Sequence, residues 1–350
     1  MGEDQNSNNQ QQTDLPFSDM TRAVQITMVP YLYEKAYNEA SGSEEEKRLE
    51  AKEELYTALR DTDSLYDAEV AIVNVDDTTA IILYEEDKHR ATVTFDITQN
   101  MGDRYDNVVK CAPTEHALGG EVHGGFYEDL IEQQDDPNFP ADNMVELIEG
   151  ILHDSASKND EKPLAVDFSG FCSGGAKSAL AAGEMINNGL FDDPQNIQLE
   201  NIYTFASVGY ADKTSVGYTD KTFAENLEER VDQLGGKIWQ VQRHGDNFSN
   251  LMTSKGPLLA RPMDYEQAGT HVYLVPGKDS AEPQALINPT QEDIDNLPDA
   301  EVTGMDAHRP EPYERIIRKL DGATTAPENS YEDVCAVPDR SIQDNMLMGL

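Results

Sequence analysis

The sequence predicts a three-layer α/β fold, in which a mixed, mostly parallel sheet carries helices on both faces. Strand-like apolar runs alternate with helix-like segments along most of the chain, which is typical of this architecture. Two strand candidates, Glu69–Val75 and Thr78–Glu85, are separated by the turn Asp76-Asp77, which favours a hairpin and therefore a mixed sheet. A short apolar run, Leu164–Phe168, leads through a glycine-rich turn into an Ala-rich, helix-favouring segment.

The strand, turn and helix within residues 163–182 are the feature around which the chain is organised. The turn has the pattern G-x-C-x-G, from Gly170 to Gly174, with Cys172 at its centre. A nucleophile elbow requires this context, because the residue at its tip is strained and its neighbours must be small. The helix start also favours a thiolate. The alternative interpretation of Cys172 is an inert buried cysteine. Ser173 is a rival nucleophile, but the register of the elbow places Cys172 at its tip.

The 350-residue chain is strongly acidic, with 26 Lys and Arg against 67 Asp and Glu and a net charge of −41. Such a charge repels nucleic acid and anionic membrane surfaces, so we expect no nucleic-acid partner. The acidic residues are spread along the chain, which favours a solvated surface suited to solubility or to a salty cytoplasm. Cation binding is the alternative, but no D-x-D/N-x-D/N-G loop occurs. We therefore expect no metal and no cofactor.

The cysteines and the first residues of the chain favour a reducing, cytoplasmic location. Cys111, Cys172 and Cys335 are an odd number without metal-type spacing, which argues against a disulfide framework and for a reducing environment. Residues 1–19 are polar and show neither the basic nor the apolar region of a secretory signal. No apolar run approaches membrane-spanning length. We expect a cytoplasmic protein without an integral membrane segment, and leave open export by a non-classical route.

The predicted domain organisation is a single domain between two irregular ends. Residues 1–17 form a disordered lead, residues 18–320 the domain, and residues 321–350 an irregular tail. No internal repeat and no second domain are apparent in the sequence. All of the strand and helix candidates therefore belong to one fold.

Two helices are expected before the first strand. The apolar segment Ala23–Val29 predicts a helical turn or two that ends near Pro30. The capping-box pattern of Ser43 with Glu46 then opens a charged helix that runs through Arg60. The side chains expected on the inner face of that helix are Leu49, Leu55 and Leu59.

The remaining elements follow from apolar patterning and turn residues. Further strands are predicted at Arg90–Ile97, Ile202–Ala206, Lys237–Gln242 and Thr270–Val275. Further helices are predicted at Tyr127–Gln133, Asn143–His153, Phe223–Leu234 and Pro310–Leu320. The polar connection from Thr98 to Glu121 is long for a plain loop, and long loops are often lids or binding segments.

Six short segments match, in order, the motifs of one known family. They are Val93–Thr98 (V-x-F-R-G-S/T), Val122–Phe126 (V-H-x-G-F), Ser169–Ala176 (T-G-H-S-L-G-G-A), Tyr203–Val208 (Y-T-F-G-x-P), Arg243–Asp246 (an aspartate before V-P) and Met305–Tyr313 (D-x-x-H-x-x-x-x-Y). With these segments the chain resembles the class 3 lipase family, the fungal-triglyceride-lipase type of α/β-hydrolase. The match extends over roughly residues 65–320, and the order of the motifs is more specific than any one of them.

The resemblance implies an α/β-hydrolase-like fold and a set of catalytic residues. Carried over by position, Cys172 is the nucleophile, Asp246 the orienting acid and His308 the base, in the chain order of α/β-hydrolases. Thr98 and the backbone N–H of Ser173 are implied as the oxyanion hole. The implied substrate is a small acyl compound or a lipid, which places the protein in lipid metabolism. The segment 99–121 lies where the family carries its lid.

Several positions depart from the family pattern. Cys172 replaces the elbow serine, Phe171 replaces the usual histidine, Asp96-Ile97 replaces Arg-Gly, and Val208 replaces a proline. A thiol elbow is chemically competent once a histidine lowers the pKa of the thiol. The changed residue before Thr98 bears on the geometry of the oxyanion hole.

Three other histidines are weighed against His308 as the base. His271 lies in a strand-like run, where a core role is the simpler interpretation. His123 is expected to be structural, and His244 lies at the wrong end of the acid loop.

Two functions remain open at this point. The first is a lipase- or esterase-like acyl hydrolase or acyltransferase that uses a Cys-His-Asp triad on an ester or thioester. The second is a catalytically silent lipase-like domain that serves as an acidic interaction or effector module. The sequence does not identify a protein partner.

Overall fold

The fold is known from a computed structural model that describes residues 15–60, 65, 67–75, 78–97, 112–132, 143–159, 161–212, 221–246, 265–277 and 282–322. The strands of the larger sheet are β1 (Glu69–Val75), β2 (Thr78–Glu85), β3 (Arg90–Phe95), β6 (Leu164–Phe171), β7 (Ile197–Phe205), β9 (Lys237–Arg243), β11 (Thr270–Val275) and β12 (Gln284–Ile287). The strands of the smaller sheet are β4 (Pro113–Glu115), β5 (Glu121–His123), β8 (Ala211–Asp212) and β10 (Tyr265–Glu266). The α-helices are α1 (Phe17–Ile26), α2 (Val29–Glu39), α3 (Glu44–Arg60), α4 (Gly124–Ile131), α5 (Met144–Ala156), α6 (Ser173–Asn187), α7 (Phe223–Leu234), α8 (Gln291–Asp295) and α9 (Pro310–Leu320).

The larger sheet has the spatial order β1-β2-β3-β6-β7-β9-β11-β12. The first three strands pair antiparallel to one another. The neighbouring strands β3, β6, β7, β9 and β11 are parallel, and β12 pairs antiparallel to β11. Val75 lies opposite Thr78, so β1 and β2 pair as the hairpin that the sequence predicts. The sheet is therefore mixed and mostly parallel.

Helices cover both faces of this sheet, as the alternation along β2 illustrates. Ala80, Ile82 and Tyr84 join the core beneath α4, α5, α6 and α7. Ile81 and Leu83 join the opposite core, which α2 and α3 cover. Successive strand side chains point to opposite faces, and β2 is buried along its whole length because both faces are covered. A further apolar cluster under α1 and α9 completes the second face. The predicted three-layer, α/β-hydrolase-like architecture is confirmed.

The helix termini show why most of the predicted helices form where they do. Asn143 opens α5 and Thr222 opens α7 with capping boxes, and Gly235 ends α7 in a left-handed conformation. The Ser43 and Glu46 side chains bond to each other and to the backbone at the start of α3, as predicted. These caps satisfy backbone N–H groups that have no partner within the helix.

Three details of the sequence interpretation are wrong. The chain is helical from Phe17, which was assigned to the disordered lead 1–17. Pro30 lies at the beginning of α2 instead of ending a helix, because the first turn of a helix needs no proline N–H. Leu49 is 61% exposed, although Leu55 and Leu59 are buried, because the contact with α2 covers a narrower stripe of α3.

The smaller sheet has the order β10-β8-β5-β4 and contains part of the predicted long connection. Residues 113–115 pair with residues 121–123, so this end of the segment 99–121 is a hairpin. Its earlier part lies outside the described residues. Of the helices that the structure describes, none is both long and apolar enough to cross a membrane.

Candidate active site

Cys172 lies at a strained turn between β6 and α6. Its φ of 54° and ψ of −123° are uncommon for a residue with a side chain, and such a conformation costs about 1–3 kcal/mol. A Cβ atom at Gly170 would lie 2.1 Å from the carbonyl oxygen of Gly174, so only glycine permits this turn. Strand, sharp turn and helix therefore form the elbow geometry that the G-x-C-x-G pattern indicates.

The elbow presents the Cys172 side chain at the N-terminus of α6. Cys172 donates its N–H to Phe205 O (2.9 Å), and its own carbonyl accepts from Gly175 N (3.1 Å), which starts the helix. The thiol is free and partly exposed. A partly exposed sulfur at the positive end of a helix dipole has the surroundings of a reactive cysteine.

Asp246 and His308 lie on two other segments at the same edge of the sheet. Asp246 follows β9, and His308 lies between a short 3₁₀ helix (Gly304–Asp306) and α9. The backbone N–H of Gly304 donates to Gly245 O (3.2 Å), which joins the two segments. His308 Nδ1 lies 2.9 Å from Asp246 Oδ2 and 3.0 Å from Oδ1. The carboxylate therefore fixes both the orientation and the tautomer of the ring.

The other side of His308 interacts with Cys172. Burial alone would lower the pKa of His308, but the adjacent Cys172 side chain and the hydrogen bonds of the ring to Asp246 and Cys172 raise that pKa to about 10. Because Nδ1 faces Asp246, Nε2 is the nitrogen available to the sulfur. The structure therefore brings Cys172, His308 and Asp246 together as nucleophile, base and acid would be arranged, with an imidazolium favoured at neutral pH.

Two functionally placed aromatic residues were not assigned by the sequence analysis. Tyr313 donates to Asp246 Oδ2 (2.7 Å) and accepts from Arg243 N (3.0 Å). Burial and Asp246 raise the pKa of the Tyr313 phenol well above its usual value, so it remains a donor. The Phe171 ring packs against His308 with centroids 5.1 Å apart. Tyr313 follows His308 at the H-x-x-x-x-Y spacing of the family's late histidine segment, which was the available signal.

Of the two implied oxyanion residues, the structure describes only Ser173. Ser173 directly follows Cys172 and is the first residue of α6, so its backbone N–H lies next to the elbow. Its side chain is buried. Thr98 lies outside the described residues.

The alternative bases lie elsewhere. His123 caps α4 by accepting from Phe126 N (3.3 Å), which is a structural role. His244 contacts the Tyr273 hydroxyl and Pro298 O. His271 on β11 lies in the same row across the sheet as Gly170 on β6, but three strands away. This separation is roughly 14 Å across the strands. Among the described residues, no group of His, Cys, Asp and Glu is arranged to hold a metal ion.

The stability contribution of His308 should fall as pH rises. A group whose pKa is raised by folding stabilises the native state fully below its unfolded value of 6.5 and loses that effect as pH passes through about 10. We expect the difference in free energy of unfolding between wild type and His308→Gln to shrink over this range in urea titrations. A difference that grows with pH would contradict the raised pKa.

Comparisons with known proteins give only distant structural similarity. No protein-family model and no curated protein match the chain. Among solved structures, the chain is similar to a lipase from Rhizopus microsporus var. chinensis at 17% identity, with 73% of this chain and 76% of that chain covered and a TM-score of 0.47. It is also similar to lipase II from Rhizopus niveus (13% identity, 83% and 93% covered, TM-score 0.49). A triacylglycerol lipase from Penicillium expansum gives 13% identity, 89% and 98% coverage, and a TM-score of 0.46. At such low identities and scores these similarities carry no argument about chemistry, and the fold assignment rests on the strand order of the sheet.

Proposed function

We propose that the protein is an acyl hydrolase or acyltransferase in which Cys172 is the nucleophile, His308 the acid–base group and Asp246 its orienting acid. The single observation that carries the proposal is the contact of one imidazole with both Cys172 and Asp246, at a strained elbow. The arrangement matches the nucleophile, base and orienter logic of covalent catalysis.

The first half-reaction forms an acyl-enzyme. The Cys172 thiolate attacks the carbonyl carbon of an ester or thioester, and the carbonyl oxygen becomes an oxyanion beside the Ser173 N–H. When the intermediate collapses, the bond to the leaving group breaks, and His308 Nε2 gives its proton to the departing oxygen or sulfur. The products are S-acylated Cys172, a free alcohol or thiol, and a neutral His308.

The second half-reaction releases the acyl group. Neutral His308 takes a proton from water or from another acceptor, whose oxygen, nitrogen or sulfur attacks the thioester carbonyl. The C–S bond breaks, the thiolate is regenerated, and the protonated His308 restores the starting ion pair. Water gives net hydrolysis, and an alcohol, amine or thiol acceptor gives net acyl transfer. Asp246, held by Tyr313, keeps the ring aligned through both steps.

The proposal is tested by burst kinetics combined with thiol labelling. We expect wild-type protein to release about one equivalent of leaving group rapidly from an activated short-chain ester or thioester before slow turnover. Iodoacetamide labelling followed by peptide mapping should modify Cys172 faster than Cys111 and Cys335 at neutral pH. Each assay is repeated with detergent micelles, because lipase-like enzymes act at interfaces. Absence of both burst and selective labelling in both conditions would favour the silent interaction module.

A further inference from the structure

A buried cluster of charges lies beside the elbow and has no role in the two half-reactions. Lys177 on α6 is 6% exposed, and Asp96, which follows β3, is 5% exposed. Lys177 Nζ lies 3.2 Å from Asp96 Oδ1, 3.1 Å from Thr78 Oγ1 and 3.4 Å from Asp129 Oδ2 on α4. Lys177 therefore connects the elbow helix to α4, to the start of β2 and to the end of β3.

The first turn of α6 also touches the end of β3 directly. A Cβ atom at Gly174 would lie 2.6 Å from Phe95 O and 2.9 Å from Asp96 O, so no side chain fits between the helix and this backbone. Asp96 in turn donates its N–H to Thr79 O (3.0 Å), which extends the pairing of β2 with β3 past the end of the strand. The two segments meet at van der Waals distance, and the ion pair spans the same junction.

Stability alone is a poor explanation for this ion pair. Taking both charges out of water is costly, and apolar residues of similar volume often stabilise a protein as well or better. Apolar contacts, however, allow neighbouring elements to slide, whereas an ion pair with fixed hydrogen-bond geometry favours one separation and one angle. A junction beside the proposed nucleophile is a place where a fixed separation has chemical value.

We propose that Lys177 and Asp96 are positioning residues that fix the end of β3 against the first turn of α6, so that a carbonyl group attacked by Cys172 is held between the Ser173 N–H and the chain leaving β3 at one separation. This inference rests on the proposed acyl chemistry. The first turn of α6 carries the Ser173 N–H, and the chain leaving β3 forms the facing wall. Oxyanion donors must lie about 2.7–3.1 Å from the developing charge, and an error of about 1 Å can cost about 100-fold in rate.

The test compares Lys177→Met with the double variant Lys177→Met/Asp96→Asn. The single variant leaves a buried carboxylate without its partner, so its melting temperature should fall, and the double variant should recover part of that loss. Both should acylate about 10- to 100-fold more slowly than wild type in the burst phase, with KM changed little. Iodoacetamide should still label Cys172 at the wild-type rate, because displacement at a saturated carbon forms no oxyanion.

Arg22→Met is the matched control. Arg22 is also buried and forms ion pairs with Glu85 and Asp167. Glu85 lies opposite Arg90, at the start of β3, and so at the other end of that strand from Asp96. This variant should melt earlier but acylate at the wild-type rate per folded molecule.

Three outcomes would overturn the inference, and they distinguish its failure from failure of the acyl chemistry. A double variant that acylates as fast as wild type, or that loses labelling in proportion to acylation, rejects the positioning role while the acyl chemistry stands. Wild-type protein that shows no acylation rejects the acyl chemistry and the positioning role together.

Discussion

Cys172→Ala should abolish both the acylation burst and the selective alkylation. The thiol at residue 172 is the group that would carry the acyl intermediate, and the described residues place no other cysteine beside His308. We expect the burst amplitude to fall from about one equivalent to zero. Circular dichroism should show an unchanged fold, because alanine removes only the sulfur from a partly exposed side chain. A burst that survives in the alanine variant would show that another residue is acylated.

Cys172→Ser is the sharper form of the same experiment. A hydroxyl is far less acidic than a thiol, so serine would not form the proposed ion pair with His308 and would need general-base assistance to attack. The serine variant should therefore be much slower than wild type on thioesters while keeping the fold and the elbow. If it matched the wild-type rate, the site would be that of an ordinary serine hydrolase, and the cysteine would have no special role.

His308→Gln should produce the second large loss. It removes the imidazole that contacts Cys172 and that would, in the proposed mechanism, donate a proton to the leaving group. Positioned acid–base groups contribute about 10²- to 10⁴-fold. We expect a rate decrease of that order in burst acylation, together with slower alkylation of Cys172. The decrease should be greatest for substrates with poor leaving groups, because these depend most on proton donation.

His271→Gln provides the matched control for this prediction. Burial lowers the pKa of His271 to about 4, so its imidazole is neutral at the pH of the assay. His271 also lies three strands away from the elbow strand. Acylation by this variant should equal that of wild type. A large loss in His271→Gln with little change in His308→Gln would reverse the assignment of the base.

Local sequence was sufficient for much of the fold because the relevant signals are local. The boundaries of β1, β2, α7, β11 and α9 follow from apolar alternation, capping boxes and turn residues within each segment. The elbow pattern belongs to the same class, since close approach of a strand and the following helix demands glycines at fixed spacing. Pro30 shows the limit of such signals, because a proline suits both the end of one helix and the start of the next.

The resemblance to a known family named Cys172, Asp246 and His308, but whether they meet depended on contacts between distant segments. His308 and Asp246 are separated by 62 residues, Tyr313 and Asp246 by 67, and Lys177 and Asp96 by 81. No periodicity within one segment specifies which buried charges meet, and in so acidic a chain an aspartate is not distinctive by itself. The exposure of Leu49 also depends on contacts between segments, because the width of the contact between α2 and α3 determines which α3 side chains are buried.

The amino-acid sequence by itself therefore determined many of the elements and the position of the elbow, because glycine spacing, capping and apolar alternation act through nearest neighbours. Only the tertiary structure decided that one imidazole lies between Cys172 and Asp246, that Tyr313 holds the acid, and that Lys177 joins the elbow helix to β3. The physical reason is that these interactions form when separate strands end at the same edge of the sheet, and burial then makes each charge depend on a partner far along the chain.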